Sequence, residues 1–370
     1  MILRFYPTKD ATLYEQYPTK NTGLDAILEI NKLITKTSTG SYNRNSRAIV
    51  EFDFNGKVKP KLDSLGLTAS NLTYTFKLYA TTAEEIPVDY TLECYPLSSS
   101  WNMGTGRDAN NPITTNGVSW QYRLNADDTT TAWITQSYSY NTTASFTTIG
   151  GGGNWYITPV STQSYSYTTT DATFNVTSII SASLASSITG WSGFIIKKST
   201  EDETSSNVFS SLKFFSKDSH TVFSPVLEVG YDDSTSTSTL SVVDTNQEYV
   251  INPVNLQSRY RENSIAKIYI SVRPKYPTIT FSTSSVFLDR YRLPSGSQYA
   301  IYNANSDDVI IDFSNFTKLS DDSNGNFFKL NLDNFQPERY YRLLLKVPYS
   351  GSLQDYMIQD NNWIFNVSRV

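Results

Sequence analysis

Short runs in which apolar and polar residues alternate, each closed by a Gly, Asn or Pro cluster, recur along the whole chain. A period of two puts every second side chain on one face of a pleated strand, so it restricts the chain to β-structure. The runs AILEI (Ala26 to Ile30), RAIVEFDF (Arg47 to Phe54), TYTFKLYA (Thr73 to Ala80) and YTLECYPL (Tyr90 to Leu97) open the series. GFIIKK (Gly193 to Lys198), SLKFFS (Ser211 to Ser216) and PVLEVGY (Pro225 to Tyr231) continue it. Apolar residues make up 39% of the chain and lean on 26 Tyr and 19 Phe, side chains that suit a half-buried pleated surface. The sequence therefore predicts an all-β protein.

Between Leu97 and about residue 170 the alternation dissolves into Ser, Thr, Asn and Gly, punctuated by Trp101, Trp120, Trp133 and Trp155. That stretch predicts elaborated loops (98–170) with short hairpins. One short helix is expected after Phe174, where Asn175 and Thr177 can cap and Ile179, Ile180 and Leu184 fall at helical spacing. The polar tract Asp232 to Thr239 has the composition of a linker. It places one sandwich over 1–232, a linker at 233–239 and a second sandwich over 240–370. The second has immunoglobulin-like size, with strands expected at AKIYISVRP, DVIIDF, NFFKLNL, YYRLLLKV and NWIFNV. Asn324-Gly325 is a two-residue hairpin signal within it.

Net charge is −5, with 18% charged residues, so no basic field awaits nucleic-acid phosphates or an anionic membrane. No window approaches the roughly 20 apolar residues that span a bilayer. Arg4 and Pro7 interrupt the first residues, and no apolar stretch of signal-peptide length follows, so synthesis in the cytoplasm is expected. The single Cys94 reads as a small buried hydrophobe.

Groups for catalysis are sparse. A Ser-His-Asp arrangement would have to use His220, the one histidine, with Asp218; the plainer reading is a turn histidine. One His and one Cys cannot supply the usual zinc tetrahedron. Glycoside hydrolysis needs two facing carboxylates, but the acids cluster in runs such as Glu201, Asp202 and Glu203, which read as solvated loops. The run Gly150 to Gly153 lacks the Lys and Ser or Thr of a phosphate cradle and reads as a flexible bend. No cofactor is expected. Calcium is the one ion with any sequence signal, at SDDSNGN (Ser320 to Asn326), where the hairpin reading wins, and at Asp10, against an ordinary turn role.

The segment Ser100 to Trp120 is the strongest site candidate, because two tryptophans bracket a glycine-rich loop that a core could not use. Trp101, Trp120, Trp133 and Trp155 could stack on pyranose rings as a platform or anchor the loops by packing, and anchoring is favoured. As clamps, Trp101 and Trp120 would present Met103, Arg107, Asp108 and Asn110 to a neighbouring subunit. Tyr340, Tyr341 and Arg342 are contact candidates in the second sandwich, unless alternate members of that run simply face its core.

Several strings resemble a known family. DATLYEQYPTKNTG from Asp10, RAIVEFDF, YTFKLYA, FNVTSII from Phe174, GFIIKK and FFSKDSHTVFSPVLEVGY from Phe214 are similar to the DNRLRE, or disaggregatase-related, β-sandwich family, over nearly all of 1–232. Its D-V-T helix start, S-R-E strand end and terminal R-P-x-L match Asn175-Val176-Thr177, Ser216-Lys217-Asp218 and Ser224-Pro225-Val226-Leu227, each with a conservative departure. The resemblance implies a jelly-roll-like sandwich, and members are often carbohydrate-binding modules beside glycan-degrading enzymes. The Ser100 to Trp120 loop, VRPKYPTITFSTSS from Val272, LPSGSQYAIYNA from Leu293 and FQPERYYRLLLKV from Phe335 look like structural proteins of tailed-phage virions. That implies a non-enzymatic virion component, made in host cytoplasm and placed at tail, baseplate or neck, with other virion proteins as partners. The alternative is a carbohydrate-binding module or adhesin that contacts host glycans.

Overall fold

The computed structural model describes the chain apart from residues 39, 68–70, 83, 84, 87, 127, 128, 134–142, 145–150, 169, 277–289, 351–354 and 370. The protein is all-β and divides into two compact units, Phe5–Val229 and Met1–Arg4 with Gly230–Val370.

In the Phe5–Val229 unit the larger sheet runs Ser161–Tyr165, Tyr90–Pro96, Phe194–Lys198, Gly40–Glu51, Ile27–Thr37, Phe209–Phe215, and Lys9–Tyr14 pairs along Gly40–Glu51 as well. Facing it, Val226–Gly230, Thr73–Leu78 and Ala172–Asn175 lie side by side. The two layers meet where Phe76 of one stacks on Phe194 of the other, ring centroids 5.1 Å apart, with Phe52 set edge-on to Phe76 at 5.5 Å. Cys94 points into this core and is fully buried, and burial pushes its thiol up.

Alternation decides which residues reach the core. On Thr73–Leu78 the odd and even positions differ in burial throughout, with Tyr74, Phe76 and Leu78 inside. The strand Phe194–Lys198 is buried at every position, so its second face has a cover too. That cover is the loop region.

Three short α-helices occur among the described residues, against one expected. The expected one starts at Thr177 and ends at Leu184. Asn175 does the turn-forming: its Oδ1 accepts the Thr177 backbone N–H at 3.1 Å, while the Thr177 hydroxyl accepts the Tyr74 N–H at 2.9 Å. The other two, Lys59–Ser64 and Thr200–Thr204, are too short to show an apolar period. Pro60 in the first turn of one and the Ser199 cap of the other, which accepts the Asp202 N–H, are their only signals. The loop region also holds the hairpin Tyr122–Ala126 with Thr129–Ala132, and the edge strand Ser161–Tyr165.

The C-terminal unit pairs a sheet ordered Tyr249–Pro253, Ile265–Pro274, Gly325–Asn331, Ser320–Asp322 with one ordered Arg259–Arg261, Tyr356–Ser368, Arg339–Pro348, Gln298–Asn303, Val309–Ile311. All five expected strands are present, with four further ones among the described residues. The core lies between them, where Tyr299 stacks on Phe328 at 4.3 Å.

Two details differ from the sequence expectation. The hairpin register pairs Asp322 with Gly325, so Ser323 and Asn324 form the connection rather than Asn324 and Gly325. The Asp322 carboxylate fixes this by accepting the Asn324 N–H at 2.8 Å and the Tyr269 hydroxyl at 2.9 Å. The tract expected as a linker is instead strapped to the C-terminal unit. The Ser236 hydroxyl and Ser238 N–H donate to the Asp321 carboxylate at 3.0 and 3.1 Å, and the Thr237 N–H donates to its carbonyl at 3.0 Å. With Asp321 and Asp322 both committed to protein donors, the SDDSNGN string behaves as the hairpin it was read to be.

Candidate functional site

Across its strands the outward face of the larger sheet carries Ala11, Leu13, Ile49, Leu97 and Ile195, too apolar to leave to water. The loops roof it with four tryptophans. Trp101, Trp120, Trp133 and Trp155 are each no more than 2% exposed and pack with those residues and Val118 into a second core. Two of their indole N–H groups are satisfied by loop carbonyls: Trp101 donates to Ser192 at 3.1 Å and Trp133 to Ser119 at 2.9 Å. Trp101 and Trp120 are clamps, and the four ring faces are closed to a sugar. The four tryptophans pack as the anchors the sequence favours and not as a glycan-stacking platform.

Charged residues are built into the same roof. The Arg47 guanidinium is fully buried between the rings of Trp120 and Trp155, 4.7 and 5.1 Å from their centroids. It donates two parallel bonds to Glu203, at 2.9 and 2.7 Å, and a third to the Gly152 carbonyl at 2.8 Å. Lys197, also buried, lies 3.5 Å from both Glu203 and Glu93 and donates to the Lys198 carbonyl at 2.6 Å. Burial would raise the Glu203 carboxyl, but the charges and hydrogen bonds of Arg47 and Lys197 outweigh it and hold that carboxyl below its usual range. The run Glu201, Asp202, Glu203 is thus corrected from a solvated loop. The five-residue helix turns Glu203 inward while Glu201 stays exposed.

Of the run Gly150 to Gly153, expected as a flexible bend, Gly150 lies outside the described residues and Gly151 to Gly153 are buried packing material. At Gly152, φ is +73°, and a Cβ would lie 2.6 Å from the Arg47 guanidinium and 2.8 Å from the Trp120 ring. Only glycine permits that approach.

Above the roof, the loop from Asn102 to Asn116 is fixed by a residue the sequence reading missed. Asn21, fully buried, donates through Nδ2 to the Met103 and Val118 carbonyls, both at 2.7 Å. Its Oδ1 accepts the Gly106 N–H at 2.7 Å. One amide therefore holds two points of the loop and the residue just past its end, Val118. Lys20 beside it reaches Asp108 at 2.5 Å with its ammonium 4.9 Å from the Tyr17 ring centroid. The only sequence signal was the polar string TKNTG at the end of a turn.

The predicted contact residues separate into two groups. Arg107, Asp108 and Asn110 are exposed, and Asn110 braces the loop by accepting the Arg107 N–H at 2.6 Å and the Thr114 hydroxyl at 3.2 Å. Ile113 joins them, 47% exposed. Met103 is corrected: its side chain packs half-buried against the tryptophan core instead of facing outward. In the C-terminal unit Tyr340 is exposed, whereas Tyr341 is buried in the core with its hydroxyl donating to the Gln336 carbonyl at 2.8 Å. Arg342 pairs with Asp307 at 2.7 Å and Asp360 at 3.4 Å. Alternation along the strand sends Tyr341 inward and leaves Tyr340 as the outward member.

His220 sits in an exposed left-handed turn, φ +54°, after the one-turn helix Lys217–Ser219, as a turn histidine would. Among the described residues no helix is long and apolar enough to cross a membrane. No family model matches the sequence, and neither the curated proteins nor the solved structures yield a match.

Proposed function

We propose that this protein is a non-enzymatic structural component of a bacteriophage virion, at the tail, baseplate or neck, that docks on neighbouring virion proteins through the braced loop Asn102 to Asn116. The observation that carries the reading is how that loop is held. Asn21 and the Trp101 and Trp120 clamps fix its backbone from below, so Arg107, Asn110 and Ile113 stand outward with their ordering cost already met before any partner arrives. The loop mixes an exposed apolar side chain with polar groups of both charges, which suits a protein neighbour. The virion assignment rests on the resemblance of the loop and of the second-unit strings to virion proteins of tailed phages.

A mass-spectrometric inventory of purified particles tests it: the protein is expected at a fixed copy number per particle, and its absence from intact virions would sink the proposal. An Arg107→Ala, Ile113→Ser double variant is expected to fold normally and to be depleted from assembled particles.

A further inference from the structure

The two sheets of the C-terminal unit turn different faces outward. Along Ile265–Pro274 the outward members include Lys267, Tyr269, Ser271 and Arg273. The Lys267 ammonium donates to the Tyr269 hydroxyl at 2.6 Å and to the Asp322 carboxylate at 3.3 Å, and it closes over the Phe327 ring 3.7 Å from the centroid. That face is polar, and these groups are already committed to one another. On the other sheet, Tyr341, Leu343, Leu345 and Val347 of Arg339–Pro348 enter the core, so Tyr340, Arg342, Leu344 and Lys346 form the outward row. Strand register fixes their neighbours. Arg342 lies between Ile364 and Tyr302, with Val309 one strand beyond Tyr302, and Lys346 lies opposite Ile358. Tyr340, Val309, Ile358 and Ile364 are each between 39% and 53% exposed. Four large apolar side chains thus share one sheet face in water, a concentration that marks an interaction surface.

We propose that this face is where two copies of the chain meet, sheet against sheet about a twofold axis. The charges on it favour a second copy. Arg342 is matched in place by Asp307 at 2.7 Å and Asp360 at 3.4 Å, and the Lys346 ammonium rests 3.8 Å from the Tyr356 ring centroid. A strongly charged partner of either sign gains little there, whereas an identical face, matched by the same pairs, brings no uncompensated like charge against it. Size points the same way. Four strands wide and about 27 Å from Tyr340 to Pro348, the face offers roughly 500 Å² per copy, which places a symmetric pair near the floor of about 1,000 Å² for a specific interface. The dimer is therefore weak and concentration-dependent.

Sedimentation velocity of the purified full chain from about 1 to about 200 µM is the test, and it holds whether or not the chain belongs to a virion. A reversible monomer–dimer equilibrium is expected, with Kd on the order of 10 µM, the weak end for so small an interface. Each residue acts twice in such a dimer, so Tyr340→Ser and Ile358→Ser, both at solvent-facing positions, are each expected to raise Kd by at least about tenfold. Ile265→Ser, equally exposed but on the other sheet, is expected to leave Kd unchanged. The dimer should persist in about 0.5 M sodium chloride, because apolar area rather than unmatched charge closes it. Protein that stays monomeric at about 200 µM overturns the proposal and leaves the face to an unlike partner. A dimer indifferent to both serine variants overturns it equally, as does one that salt dissolves.

Discussion

The core of the C-terminal unit and the tryptophan roof of the N-terminal sheet exclude water equally well, yet they are assembled from different material. The first is closed by side chains that regular strands deliver at every second position, Ile268 and Ile270 from one sheet, Leu343 and Leu345 from the other. The second is closed by tryptophans from irregular segments and contains Arg47, Lys197 and Glu203 at full burial. An apolar core loses stability in proportion to the atoms removed. One built around ions depends on every partner staying in place, since a survivor is left charged and dry.

That difference sets the largest expected effect. Glu203→Ala strips Arg47 of its carboxylate and leaves Lys197 with Glu93 alone, and is expected to cost about 3–5 kcal/mol of unfolding free energy. Leu343→Ala, at a fully buried position of the apolar core, is expected to cost about 2–5 kcal/mol through its cavity alone. The two separate on rescue. Replacing Arg47, Lys197 and Glu203 together by Met, Met and Leu should recover much of the first loss, because the ions and their desolvation leave together. Five of the six tryptophans belong to Phe5–Val229, so urea unfolding followed by fluorescence reads that unit. A Glu203→Ala loss below about 1 kcal/mol would mean that packing, not the ion cluster, holds the roof.

The same contrast explains what the sequence could tell. Alternation in Ile265–Pro274 maps almost residue by residue onto burial, which made the second unit readable. Gln298–Asn303 escaped because Tyr299, Ala300 and Ile301 are all buried in succession, giving no period of two. In the roof, the tryptophans were visible as anchors because a polar loop has no other use for four large apolar rings. Arg47, Lys197 and Glu203 were not, because a charge on a strand or in an acidic run reads as solvent-facing until the cover above it is known. Asn21 was invisible for a related reason: its three contacts lie 82 to 97 residues away.

Lys198 extends the contrast to a charge with no ionic partner among the described residues. It points to the opposite face from Lys197, its ammonium 3.7 Å from the Tyr90 ring centroid and, among the described residues, without a hydrogen-bond partner. Burial lowers its pKa to about 7, against the pull of Asp202 and Glu203. Between pH 7 and about 10 the unfolded chain therefore holds a proton that the folded chain has released, and stability should rise with pH. The slope contributed by this one group is at most about 1.4 kcal/mol per pH unit. Above 10 the buried phenols of Tyr90 and Tyr165, raised by burial, act in the opposite direction. Urea midpoints at pH 7, 8 and 9 should climb for the native sequence and climb less for Lys198→Met. Equal slopes would mean that Lys198 keeps its proton through contact with the rings.

The smallest expected effect probes the geometry of the roof rather than its charges. Gly152 combines a left-handed backbone, φ +73°, with a guanidinium and an indole both inside the space a Cβ needs. Gly152→Ala therefore meets two penalties, the conformational strain of a non-glycine residue at that φ and the displacement of Arg47 or Trp120, for an expected total of about 1–3 kcal/mol. Because Arg47 also donates to the Gly152 carbonyl, any shift that relieves the clash lengthens that bond and loosens the grip on Glu203. The substitution should therefore couple to the ion cluster and not to the apolar core of the other unit. In a double-mutant cycle, Gly152→Ala with Glu203→Ala should fall short of the sum of the single losses by at least about 0.5 kcal/mol, whereas Gly152→Ala with Leu343→Ala should be additive. Additivity in the first pair would mean that the glycine serves the tryptophans alone and that the roof, like the C-terminal core, is held by packing.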